Sequence, residues 1–301
     1  MAMAAPLLIA DVPWLLYRAY FSLPKSIKGP DGEPVNALLG TVNALLAAIE
    51  SEAPRAVVAC FGAEEAHYRV QAYPPYHAHR DPMPEDLAAQ WRLAPGLLAS
   101  LGWHIADAED LEADDAMGSY ARVEAGEGGR ALLLTADRDL YQAVDERVAV
   151  LDLGKGGACV SRGSAHVEES YGVSPGQVAD FIALRGDPSD GIPGAPGIGA
   201  KTAATLLRDH GTLEALLGAA ERQMAEANFG DLRPRVASTL SENADLLRTF
   251  KRIATLVPIE VERPPDAPTD FAAGAAKARE LGMKRLAERL SSQATQRAAR
   301  A

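Results

Sequence analysis

Cysteine is nearly absent from this 301-residue chain. Cys60 and Cys159 lie far apart in apolar runs, which excludes a disulfide framework and a cysteine-based zinc site. No apolar run reaches the roughly 18 residues that would cross a bilayer. The opening residues, MAMAAPLLIAD, have no basic flank and meet an aspartate too soon for a secretory signal, so the expected setting is the cytoplasm, with no membrane partner. Basic residues are also in short supply. With 30 Lys and Arg against 41 Asp and Glu, the formal net charge is -11, which excludes indiscriminate binding of polyanions. Internal repeats and coiled-coil heptads are missing too. What the chain does have is 48% hydrophobic residues, enough to bury the core of one large domain or two ordinary ones.

The most informative stretch is LRGDPSDGIPGAPGIGAKTAATLL, from Leu184 to Leu207. Asp187 and Asp190 are held in a tight turn by Pro188 and Gly191, so both carboxylates can face one point, an arrangement suited to a hard divalent cation. Gly194, Gly197 and Gly199 then expose backbone N–H groups, and Lys201 and Thr202 fall in the first turn of an alanine-rich helix. Such a helix start can receive phosphate. A plain Gly/Pro connection between two helices explains the glycines equally well. A nucleotide-binding P-loop is excluded, because Val178 to Leu184 reads as helix where that motif needs a strand.

Further acids recur where buried strands end. Leu7 to Ala10 runs into Asp11, which is either a ligand at a strand end or a cap for the helix that starts at Pro13. Ala56 to Phe61 is a second strand, ending at Gly62. Trp103 to Ala106 is a third, followed by Glu112, Asp114 and Asp115, crowded at a helix start beyond what capping requires. Ala131 to Leu134 leads into TADRDL with Asp137 and Asp139. Strand C-termini of a parallel sheet share one edge, so these distant acids can converge. An all-carboxylate cluster without His or Cys selects Mg²⁺ or Mn²⁺ over zinc. Between the second and third strands, residues 63–84 interleave Tyr68, Arg69, Tyr73, Tyr76, His77, His79 and Arg80; such a mix can stack bases and hold phosphates, or form a surface loop with partly buried tyrosines. A helix over Asp86 to Leu101 is expected to break or shift at Pro95. Val148 to Leu153 and Ala158 to Val160 read as strands. From about residue 163 the pattern turns helical, including one long helix from Val236 to Phe250, and residues 291–301 read as a frayed tail.

These motifs resemble the bacterial 5′-3′ exonuclease and flap endonuclease family, whose members also form the N-terminal domain of many bacterial DNA polymerases I. The resemblance rests on EADD at 112–115, TADRDL at 135–140, GDPSDGIPGAPGIGAKTA at 186–203 and YHAHR at 76–80, and spans nearly the whole chain in the free-standing form. It implies an α/β fold, a central, mainly parallel sheet flanked by helices (PIN-like), in a catalytic domain over residues 1–170. A helical arch would occupy about 63–100. A helical DNA-binding region over 171–290 would carry a helix-two-turn-helix at about 184–210. It implies two divalent cations, with Asp11, Glu112 and Asp114 at the first, Asp115 between the sites, and Asp137, Asp139, Asp187 and Asp190 at the second. Arg80 would be catalytic; Tyr68, Arg69, Tyr76, His77, Gly194, Gly197, Gly199, Lys201 and Thr202 would touch DNA, with a K⁺ ion at the glycine turns. The implied partner is DNA with a 5′ flap or single-stranded 5′ end, handled by a monomer near the nucleoid alongside a separate polymerase, in replication or repair.

Three departures from the family pattern stand out. Gly62 occupies the place of an aspartate, His77 that of an arch lysine, and Asp11-Val12-Pro13-Trp14 that of a DGNS turn. Glu64 or Glu65 could supply the missing acid. The expectation is activity that requires Mn²⁺ or high Mg²⁺; the alternative is a junction-binding protein of the same fold with weakened or lost cleavage. A short PIN-type ribonuclease is disfavoured by the helix-two-turn-helix segment.

Overall fold

The computed structural model describes residues 4–154, 158–226 and 230–299. Its centre is a six-stranded sheet in the order β3-β2-β1-β4-β5-β6, formed by β1 Leu7–Asp11, β2 Ala56–Phe61, β3 His104–Asp107, β4 Ala131–Leu134, β5 Val148–Leu153 and β6 Cys159–Arg162. β1 to β5 are parallel, and only β6 runs against its neighbour. β1, β2 and β4 are continuous buried apolar runs, as a parallel strand covered on both faces requires. Their alternation splits the core: Leu7, Ile9, Val58 and Leu133 face one side, Leu8, Ala10, Val57 and Leu134 the other. Chain direction in sheet order reverses between β1 and β4, and such a switch point opens a crevice beyond the strand C-termini.

The helices are α1 Val12–Ser22, α2 Asn36–Glu52, α3 His67–Ala72, α4 Glu85–Ser100, α5 Ala113–Gly126, α6 Ser164–Tyr171, α7 Val178–Arg185, α8 Ala200–His210, α9 Leu213–Glu226, α10 Pro234–Glu242, α11 Ala244–Ala254, α12 Phe271–Glu280 and α13 Lys284–Ala298. α1, α2 and α4 cover one sheet face, joined there by α12 and α13 from the far end of the chain. α5 and the helical group α7–α11 belong to the other face. An extended segment leads from α11 back along α5, where the Val257 amide donates to Asp115 and the Ile259 amide to Ser119 Oγ, at 2.7 and 3.0 Å.

Three local expectations change. α4 passes through Pro95 unbroken. Pro95 is only half-buried and Gly96 is exposed, so the freed carbonyl lies near solvent. The long helix expected over 236–250 is two, separated at Asn243, whose side chain donates to the Thr239 carbonyl at 2.8 Å. Residues 291–298 are not frayed: they continue α13, which is anchored by buried Leu286, Ala287 and Leu290. Residues 300–301 lie outside the described residues. Among the described residues no helix is long and apolar enough to cross a membrane.

Candidate active site

A cleft of about 1390 Å³ lies over the β1/β4 switch point. Asp11, Glu112, Asp114, Asp137, Asp139, Asp187 and Asp190 all line it, drawn from the end of β1, the start of α5, the segment after β4 and the turn after α7. Asp11 caps α1 and also lines the cleft at the end of β1. Its Oδ1 caps α1 by accepting from the Trp14 amide at 2.9 Å, and its Oδ2 accepts from the Thr135 hydroxyl at 2.8 Å. Thr135 Oγ1 in turn accepts from the Asp137 amide at 3.0 Å, tying the ends of the two central strands together. Asp137 Oδ1 then receives the Asp139 amide at 2.8 Å.

The Asp187 turn rests on two glycines in the left-handed region, Gly186 at φ 84° and Gly194 at φ 72°. A Cβ at Gly194 would stand 2.3 Å from the Gly186 nitrogen, and one at Gly186 2.6 Å from the Ile192 carbonyl. The two can pass so closely only without side chains. Their contact lets Asp187 and Ile192 exchange two backbone hydrogen bonds at 2.8 Å, and Ser189 N–H closes on Asp187 Oδ1 at 2.8 Å. Asp190 is gripped from the 63–84 segment: His77 Nε2 lies 3.1 Å and Arg80 Nη2 3.0 Å from its Oδ1.

Crowding these acids perturbs them strongly. Burial pushes Asp11 up to about 6, against the opposing hydrogen bonds of Trp14 and Thr135. Burial, reinforced by the charges of Asp190, Asp11 and Asp187, pushes Asp137 up to about 7. Burial and repulsion from Asp137 drive Asp114 and Asp139 well above the usual carboxylate range. Among the described residues no three of these groups already close around one point. The donor set is instead an open wall of carboxylate oxygens in mutual repulsion, which fits hard divalent cations that keep part of their water shell.

The remaining expected site residues differ in exposure, although Arg69, Tyr76 and His77 also line the cleft. Asp115 is sealed at 0% exposure and does not reach the cleft. Its oxygens accept from Arg69 Nη2 at 2.9 Å, the Glu112 amide at 3.2 Å and the Val257 amide at 2.7 Å. Arg69, expected at the DNA surface, is buried and bridges Glu112 and Asp115. Tyr76 is buried too, with its hydroxyl donating to Glu112 and its ring stacked on His77 at 3.8 Å. Both side chains are spent on holding Glu112, whose Oε1 also accepts the Ala66 amide at 2.8 Å. Tyr68 is half-buried beside Arg69, 5.4 Å from its guanidinium. Gly194 is buried in the Asp187 turn, whereas Gly197, Gly199, Lys201 and Thr202 are exposed at the start of α8.

Gly62 has a steric basis. A Cβ there would lie 2.5 Å from the Leu111 carbonyl oxygen and 2.6 Å from the Ala113 nitrogen, because the backbone carrying Glu112 occupies that space. Restoring an aspartate at this position is therefore not a simple exchange. Glu64 and Glu65 line the cleft, and Glu64 accepts from the Tyr17 hydroxyl at 2.6 Å. Thr135, Arg138 and Arg185 are not acids, yet they lie within the acid-bearing TADRDL and LRGD stretches; both arginines line the cleft and Thr135 binds Asp11.

Comparison with known proteins gives a consistent picture. Residues 6–172 match the 5′-3′ exonuclease N-terminal resolvase-like domain, and residues 173–270 the 5′-3′ exonuclease C-terminal SAM fold. The chain is 36% identical over 304 residues to a 5′-3′ exonuclease of Streptomyces coelicolor, covering 94% of this chain and 98% of that one. It is 35% identical over 287 residues to a 5′-3′ exonuclease of Mycobacterium tuberculosis, covering 88% of each. It is also 39% identical over 255 residues, 85% of its own length, to the thermostable DNA polymerase I of Thermus thermophilus, of which it spans only 29%. The bacteriophage T5 flap endonuclease, solved with DNA and metal ions, superposes with a TM-score of 0.66 at 16% identity, covering 97% of this chain and 98% of that one. The catalytic core of Rad2 with DNA substrate gives 0.61 at 10% identity, covering 93% and 88%. At such identities the structural likeness shows the fold alone.

Proposed function

Because this chain belongs to the 5′-3′ exonuclease family, we propose that it is a structure-specific 5′ nuclease, hydrolysing phosphodiester bonds of DNA that bears a 5′ flap or a single-stranded 5′ end. The observation that carries this reading is the convergence of seven acids from four chain segments on one cleft at the switch point of the sheet.

Asp11, Glu112 and Asp114 would hold one divalent cation, and Asp137, Asp139, Asp187 and Asp190 a second, Mg²⁺ or Mn²⁺ by their oxygen chemistry. Such ions supply a more acidic bound water and offset charge on the phosphoryl oxygens. The chain's own residues do the rest. Thr135 and the Trp14 amide fix Asp11, while Arg69 and Tyr76 fix Glu112, so neither carboxylate must reorganise when substrate arrives. Arg80, half exposed in the cleft beside Asp190, would meet a phosphate, with Arg138 and Arg185 lining the same space. The exposed turn at Gly197 and the start of α8, with Lys201 and Thr202, offer N–H and ammonium groups to the duplex backbone, and the carbonyls of these turns would hold a K⁺ ion. The protein acts as a monomer, next to a separate polymerase.

The test is cleavage of a 5′-flapped duplex during Mg²⁺ and Mn²⁺ titrations, with Asp139→Asn as the control. Cation-dependent cutting near the flap base, lost by at least about a hundredfold in the variant, is the expected result. No cutting at any cation concentration would overturn the assignment.

A further inference from the structure

Two cations that line the cleft are left uncommitted. Arg80 is engaged with Asp190, but among the described residues neither the Arg138 nor the Arg185 guanidinium makes an ion pair or a hydrogen bond. Both stand inside the acid motifs. Arg138 separates Asp137 from Asp139, and Arg185 lies two residues before Asp187. The turn Asp139–Ala143 packs against α7, so the two arginines flank one junction. Tyr171 marks their proximity: burial pushes its hydroxyl up and the charges of Arg138 and Arg185 oppose that rise, which places both guanidiniums near the same phenol. The Arg185 guanidinium also lies 5.7 Å over the Phe181 ring, and that ring meets Tyr171 edge to face at 5.8 Å, so an aromatic floor supports the pair. Helix capping does not account for Arg185. The last carbonyls of α7 are already taken, Ile182 by the Gly186 amide and Leu184 by the Ala195 amide, both at 2.8 Å. Nor are the two arginines the main counter-charge of the acids, since the cation that most offsets Asp139 is the buried Arg69.

We propose that Arg138 and Arg185 together bind one backbone phosphodiester of the cleaved strand, the neighbour of the scissile one on the duplex side, and so fix the register in which the strand meets the acids; this rests on the nuclease reading above. The chain supplies the direction. Arg185 ends α7, which packs on α8, so the pair stands where the acid wall adjoins the helical group that would hold the duplex. Guanidinium chemistry supplies the ligand: it stays charged at every working pH and presents paired N–H donors that match the non-bridging oxygens of a phosphodiester. Such a contact reads no base, so it sets where the strand is cut without regard to sequence.

The experiment measures binding of the full-length protein to 5′-flapped duplexes by fluorescence anisotropy, with Ca²⁺ in place of Mg²⁺. One DNA is unmodified, and three carry a single uncharged methylphosphonate at the scissile phosphodiester or at its first neighbour on the duplex side or on the flap side. For the wild type, neutralising the duplex-side neighbour should weaken binding by about tenfold. Arg138→Ala and Arg185→Ala should each weaken the unmodified DNA to a similar extent, add no further loss on the DNA neutralised at that neighbour, and keep the wild-type penalty at the other two positions. Losses that multiply to about a hundredfold at the duplex-side neighbour, or that merge at another position, would overturn the phosphate contact alone. Wild-type protein that binds none of the flapped DNAs would overturn the nuclease reading together with it. Arg138 is exposed, so its variant decides the matter even if the melting temperature shows Arg185→Ala to be misfolded.

Discussion

Asp137 is the acid on which the charges of Asp190, Asp11 and Asp187 all press, and its carboxyl rises to about 7 while that of Asp11 rises to about 6. A carboxyl with a native pKa above its unfolded value binds its proton more tightly in the folded state. Its contribution to stability is complete below the unfolded value and is lost as pH climbs through the native one. For these two groups the loss falls between about 4 and 7. Cation-free protein is therefore expected to melt several degrees higher at about pH 5 than at about pH 8, and Mg²⁺ should flatten that slope by satisfying the ionised forms. Calorimetry across this range, repeated on Asp137→Asn, checks it; a melting temperature that rises with pH would contradict the burial of this cluster. The acids themselves were legible as sequence, since each follows a buried run or opens a helix. The fate of Asp115 was not. Its sealing depends on Arg69, 46 positions away, and on Val257, 142 positions away, and no local pattern encodes those partners.

Among the elements, α8 is where the proposed duplex contact can be tested apart from the acids. Its first turn leaves Lys201 and Thr202 exposed after the open Gly197 turn, while Ala203, Ala204, Leu206 and Leu207 bury the opposite face. A lysine that meets only a phosphate adds affinity without sequence preference. Lys201→Ala is expected to weaken duplex binding to a similar extent on unrelated sequences and to lower the slope of log K against log salt by about one. An unchanged slope would remove Lys201 from the interface. Strands such as LLIAD and AVVACF announced themselves because parallel strands covered on both faces must be apolar throughout. Helix ends were harder to read. α4 tolerates Pro95 because its turn lies near solvent, and the division at Asn243 depends on a side chain that bonds back to Thr239, a competition with the helix that composition alone does not settle.

At the scale of the whole molecule, the segment returning from α11 adds polar ties to the hydrophobic core that the sheet and α5 share with α7–α11. Glu124 of α5 is fully buried and receives both Arg55, just before β2, and Arg263, from the returning segment. Arg55 also reaches the Pro264 carbonyl at 2.8 Å. Removing the acid would leave the largely buried Arg55 without its main partner, so Glu124→Ala is expected to cost about 3 kcal/mol of unfolding free energy, measured by urea denaturation. A loss below about 1 kcal/mol would mean that Asp266, which also pairs with Arg55, takes over the charge. The same segment has a consequence for measurement of length. Val257 is fastened to Asp115, whose immediate neighbour in the chain is Asp114, so one peptide bond lies between the anchor of the helical part and the acid wall. If α8 holds the duplex as proposed, the molecule works as a calliper, with one jaw at α8 and the other at the acids, and this anchorage together with the shared core fixes its gap. Product lengths should then cluster at a single value whatever the base sequence between the jaws.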